Sequence, residues 1–98
     1  MIKVGFQMDP LDNIDPRLDT SFRLAEEAEL RGYSVFHYLP NNLTFSKTRI
    51  IANGHFVKLN RKQNPSFTIL KNKTIDIGHD LDILWIRQDP PFNMDYLS

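Results

Sequence analysis

The first 39 residues read strand, helix, glycine, strand, and that order leaves few folds open. Residues 2–8 (IKVGFQM) are a short apolar run closed by Asp9-Pro10, which predicts a strand. The run is continuous rather than alternating, as in a strand covered on both faces. Residues 11–16 (LDNIDP) hold turn formers and a second proline and read as loop. A helix is predicted over 16–31, where Leu18, Phe22, Ala25 and Ala28 recur at helical spacing. Asp19, Thr20 and Ser21 offer N-caps. Arg23–Glu27 and Glu27–Arg31 are i,i+4 charge pairs on the opposite side. Gly32 stands where a left-handed C-cap residue belongs. Residues 33–39 (YSVFHYL) predict a second strand, stopped by Pro40. A βαβ unit carries parallel strands and a right-handed crossover, so the expected class is α/β with an open, mostly parallel three-layer sheet.

The middle of the chain changes character. Asn53-Gly54 lies between two β-like segments, and Asn-Gly is the strongest short hairpin signal because both turn residues take positive φ. Residues 66–77 (SFTILKNKTIDI) repeat the theme, with Lys71-Asn72-Lys73 as the turn. Residues 43–77 are therefore expected to form an antiparallel hairpin excursion from the main sheet. The continuous apolar pattern returns at 81–87 (LDILWIR), which predicts a third parallel strand. With 98 residues, no repeats and no internal linker, the chain reads as one domain, 1–98.

Charge and composition exclude several classes. Twelve basic and twelve acidic side chains balance, and the short basic cluster at 61–63 is no nucleic-acid face. No run approaches the roughly 18 apolar residues of a membrane span. The N-terminus does not read as a signal peptide, so a cytoplasmic location is expected. There is no cysteine, hence no disulfide or thiol chemistry. Gly5, Gly32, Gly54 and Gly78 do not cluster into a phosphate loop. His37, His55 and His79 show no paired ligand spacing and read as structural histidines, so neither a metal nor a cofactor site is expected in this chain. Nothing resembles a nucleophile elbow, and no residue is expected to be catalytic.

What remains is positional, because open α/β sheets bind ligands outside the carboxyl ends of their strands. If the first and last parallel strands are neighbours, Asp9, Arg87 and Asp89 converge on one edge. An arginine fork suits a carboxylate or phosphate, and Pro90-Pro91 would stiffen the loop that carries it. The plainer alternative is an Arg87 paired with Asp89 or Asp9 beside a strand-breaking Pro-Pro, and the residues alone favour it. Trp85 and Phe92 read as core, Asp12 and Asp15 as solvated. Leu30, on the polar helix face, leaves a homo-oligomer contact open. A stand-alone receiver-type signalling module with a flavodoxin-like sheet, holding magnesium on Asp9, Asp12 and Asp89, is the alternative function. No lysine follows a final parallel strand to pair with its phosphoryl group.

Three stretches together carry a resemblance. IKVGFQMDP (2–10), DTSFRLAEEAELRGY (19–33) and DLDILWIRQDPPFNMDY (80–96) resemble the N-terminal domain of prokaryotic glutathione synthetases, with the MDP strand end, the D-x-S-F helix start and R-x-D-P-P-F in order. The resemblance implies a pre-ATP-grasp, Rossmann-like domain whose ATP-grasp partners lie C-terminal to it. It also implies a parent ligase that joins γ-glutamylcysteine to glycine with ATP and magnesium through an acyl phosphate. This domain alone is expected to be inactive. Arg87 would contact the peptide substrate, with Asp89 orienting it and Pro90-Pro91 shaping the loop. Asp9 and Ser21 match positions near the substrate side. Gln88 stands where a lysine is common.

Overall fold

The computed structural model describes residues 2–8, 10–11, 20–60, 62–63 and 65–86. The first strand, β1, is Lys3–Gln7. Helix α1 follows at Thr20–Leu30, then β2 at Ser34–Tyr38 and a 3₁₀ turn at Pro40–Asn42. Strands β3 (Leu43–Ser46), β4 (Arg49–Leu59) and β5 (Phe67–Asp76) come next, then a one-turn helix α2 (Ile77–Asp80) and β6 (Ile83–Ile86). All six strands join one sheet in the order β3-β4-β2-β1-β6, with β5 on β4.

The βαβ opening stands as the sequence predicts. β1 pairs in parallel with β2 and with β6, from Gly5 opposite Phe36 to Gln7 opposite Ile86. Helix α1 ends in a Schellman motif: the Tyr33 amide donates to the Ala28 carbonyl (3.0 Å) and that of Gly32 to Glu29 (2.9 Å). Gly32 has φ 84° and, among the described residues, alone takes a positive value. Phe22, Ala25 and Ala28 are buried, as their spacing requires, against Val4, Phe6, Met8, Val35, Val57 and Leu59. On the far face Phe36, Tyr38, Ala52 and Ile75 form a second cluster, with Ile77 and Leu81 beside it.

The middle of the chain corrects two expectations. Asn53-Gly54 makes no hairpin turn; it lies inside the eleven-residue strand β4. Neither residue has the positive φ such a turn demands. Gly54 is required for a different reason. A Cβ there would collide with the His37 carbonyl oxygen and lie 2.8 Å from Tyr38 Cβ and 2.9 Å from Phe36 Cε2. The glycine is the notch through which β4 closes on β2. Lys71-Asn72-Lys73 likewise makes no turn. It runs inside β5 opposite Phe56, His55 and Gly54, next to a register shift between Phe56 and Val57. The two lysines are exposed, and charge on an outer strand resists pairing with another chain.

These strands are no excursion. β4 pairs antiparallel with β3, with β2 and with β5, so the sheet is mixed and the expected predominance of parallel ladders is not seen. β6 also departs from its pattern. Ile83, Leu84, Trp85 and Ile86 are 38–58% exposed, because the strand is the outermost of the sheet path and is paired only with β1 among the described residues. No helix among these residues is long and apolar enough to cross a membrane.

Gly54→Ala should lower stability by about 1–3 kcal/mol, the usual penalty of overpacking, read as an earlier urea midpoint at unchanged slope. An unchanged midpoint would show that β4 and β2 do not need the notch.

Candidate functional site

The condition on which the sequence reading rested is met: β1 and β6 are parallel neighbours. Their start is clamped, the Lys3 amide donating to Asp82 Oδ2 (2.8 Å) and the Asp82 amide to the Lys3 carbonyl (2.9 Å). Gln7 faces both Tyr38 and Ile86, so the three parallel strands leave the sheet at one end. Asp9, Arg87, Asp89, Pro90, Pro91 and Phe92, together with Asp12, Asp15 and Leu18, lie outside the described residues.

Ser21 is described, and it is no cap. It sits in the first turn of α1, fully buried. Its Oγ accepts a hydrogen bond from the Trp85 indole Nε1–H at 3.0 Å. Ser21 therefore ties the start of α1 to β6 close to the carboxyl ends of the strands. Trp85, read from sequence as core, remains 38% exposed at that tie. A second tie crosses the same end: the Tyr38 hydroxyl donates to Gln7 Oε1 at 3.0 Å, both groups being buried. Burial pushes the Tyr38 phenol above its ordinary pKa, which keeps it a donor.

Two of the three histidines, far apart in sequence, meet across the sheet. β2 and β4 bring His37 opposite His55, and His37 Nδ1 lies 3.4 Å from His55 Nε2. The next position across the sheet, on β5, is Asn72. The pair lines a cavity of about 450 Å³ with Asn42, Asn53, Asn72 and Leu11. Burial lowers the His55 pKa from its ordinary 6.5. No local signal marks this row, because eighteen residues separate the imidazoles and only the β2–β4 register unites them. His79 is exposed, as expected, and contacts Asp80 at 3.1 Å. The Asp80 carboxyl is held below its ordinary pKa, first by the Asp76 amide and then by His79.

Comparison with known proteins follows these observations closely. The family described as "prokaryotic glutathione synthetase, N-terminal domain" matches residues 2–98. A glutathione synthetase of Mesorhizobium japonicum is 30% identical over 97 residues, covering 99% of this chain and 31% of its own. One of Agrobacterium fabrum is 33% identical over 95 residues, covering 97% of this chain and 30% of its own. One of Vibrio parahaemolyticus is 33% identical over 97 residues, with shares of 99% and 30%. The chain thus spans about a third of the length of the curated relatives it matches.

Two outcomes test this geometry. Ser21→Ala removes the acceptor of the indole N–H and should cost about 0.5–1.5 kcal/mol. Trp85 is the one tryptophan, so its emission should shift as well; unchanged emission and stability would mean that the bond couples nothing. The second outcome is a pH dependence. Because the folded His55 pKa lies below the ordinary 6.5, the unfolded chain binds the proton first and folding loses stability as pH falls through that value. The loss of Asp80's contribution begins only near its ordinary 3.8. A melting series between about pH 5 and 8 should therefore slope downward on acidification, and His55→Asn should flatten it.

Proposed function

The chain belongs to the prokaryotic glutathione synthetase N-terminal domain family, and from that premise we propose that it is the substrate-side domain of a glutathione synthase. The observation that carries this reading is the family match across residues 2–98, which includes the R-x-D-P-P-F stretch after β6. The parent protein would be an ATP-dependent ligase of the cytoplasm that joins γ-glutamylcysteine to glycine. The cysteinyl carboxylate would accept the phosphoryl group, and the glycine amine would attack the acyl phosphate.

Within that reaction this domain supplies binding rather than bond making. Arg87 would hold a carboxylate of the peptide through its planar fork. Asp89 would orient it, Pro90-Pro91 would keep the loop stiff, and Asp9 would sit beside it at the end of β1. Ser21 would act as a positioning residue, through the Trp85 bond that steadies β6. The parallel β2-β1-β6 core supports a Rossmann-like, pre-ATP-grasp reading of the fold.

ATP and magnesium are implied for the parent. The described residues do not fit them. No three His, Cys, Asp or Glu side chains cluster there. Gly32 ends a helix and Gly54 fills a strand contact, so neither belongs to a phosphate cradle. No phosphoryl-transfer step is assigned to this chain, and in this reading the nucleotide would bind in the remainder of the parent.

In the full-length parent, Arg87→Ala should raise the Michaelis constant for γ-glutamylcysteine. A lost charge-assisted contact of about 1.5–3 kcal/mol corresponds to roughly a ten- to 150-fold rise. Steady-state kinetics read it, and an unchanged constant and turnover would remove Arg87 from the site. The 98-residue chain alone should neither bind ATP in calorimetry nor form glutathione; ATP binding by it would overturn the placement of the nucleotide elsewhere.

A further inference from the structure

We propose that Gln7 is a further substrate-binding side chain of this domain, its amide Nε2–H2 donating to an oxygen of the peptide substrate, and that Tyr38 is the positioning residue that aims it. The proposal rests on the ligase reading above and adds to Arg87 a donor that lies among the described residues. Gln7 is the last residue of β1, which runs between β2 and β6. It is the register partner of Tyr38 at the end of β2 and of Ile86 at the end of β6. Met8-Asp9 and Arg87 follow these positions in the sequence, and ligands of such sheets bind where the strands end.

The amide is held in one orientation. Tyr38 is 1% exposed, so its hydroxyl proton needs a protein acceptor. Gln7 Oε1 is that acceptor, at 3.0 Å. The oxygen end of the amide is thereby occupied, and the end left over is the NH2, which can only donate. The Met8 amide adds a bond to the Tyr38 carbonyl (3.3 Å), so backbone and side chain together tie the two strand ends. Gln7 alternates with Val4 and Phe6, and it therefore points away from the face that α1 covers.

Packing alone does not call for a glutamine here. An apolar pair would fill the two positions at similar stability, because replacing both partners of a buried hydrogen bond is nearly neutral. Instead Gln7 is kept at only 9% exposure, with no partner on its Nε2 among the described residues. No fully buried side-chain nitrogen is left unsatisfied there, so this one reaches the protein surface, at the end of the sheet where a ligand would meet it. The bond to Tyr38 leaves little rotamer freedom to lose on binding. A neutral N–H donor suits a carbonyl or carboxylate oxygen, and it complements an arginine fork that holds the same peptide.

The test is steady-state kinetics of the full-length parent carrying Gln7→Leu together with Tyr38→Phe, with urea denaturation of the same variant. The paired change removes both partners of the bond at once, so the urea midpoint should stay in place. The Michaelis constant for γ-glutamylcysteine should rise about two- to tenfold, while those for ATP and glycine hold. Gln7→Glu keeps an oxygen for the Tyr38 hydroxyl but carries no N–H. It should raise the same constant at least as far, and it decides the matter if the paired variant does not fold. Tyr38→Phe alone keeps the donor but releases it, and should give a smaller rise. An unchanged constant for γ-glutamylcysteine in the paired variant or in Gln7→Glu, or equal rises for all three substrates, would overturn the proposal and leave the ligase reading intact. A wild-type parent that forms no glutathione would overturn that reading, and the proposal with it.

Discussion

Strand β1 is hydrogen-bonded along both edges, and the arrangement of the whole sheet depends on it. Lys3–Gln7 pair in parallel with β2 on one side, and Val4–Gln7 with β6 on the other. Parallel neighbours cannot be joined by a tight turn, so chain must cross over a face each time. Helix α1 makes the first crossover and covers Val4, Phe6 and Met8. The same pairing makes β1, β2 and β6 end together. It is why the Ser21–Trp85 bond and the Tyr38–Gln7 bond are found at one end of the sheet.

A second constraint acts where the sheet changes from parallel to antiparallel. β4 closes on β2 only because Gly54 presents no side chain to His37, Tyr38 and Phe36. With the backbones this close, Phe36 and Phe56 meet edge to face at 5.0 Å on one side. On the other side His37 meets His55. One glycine thus serves an aromatic contact and a polar row on opposite faces. It also lets the antiparallel strands continue the main sheet rather than stand beside it.

The sequence was most legible where the signals were local. The α1 stripe, the Gly32 cap and the exposed Glu27–Arg31 pair at 3.2 Å all follow from spacing along one helix. It was least legible where one local signal serves two purposes. Asn-Gly can make a type I′ turn or provide a close backbone approach, and only the strand across the way decides which. Lys71-Asn72-Lys73 is polar because β5 is solvated along much of its length, not because the chain reverses. The neighbouring of the first and last parallel strands entered the sequence reading only as a condition, and the structure meets it. The bond that locks Trp85 to Ser21 was not legible, since sixty-four residues separate donor and acceptor.

By itself the sequence determined the βαβ opening, the buried helix face and, through its ends, the family, because these rest on short-range periodicity and contiguous motifs. The tertiary structure alone decided that Gly54 is a notch, that the middle strands extend the sheet and that two distant histidines share a cavity. Each of those depends on the register between β2 and β4. Register is set by packing across strands remote in sequence, where no local pattern can express it.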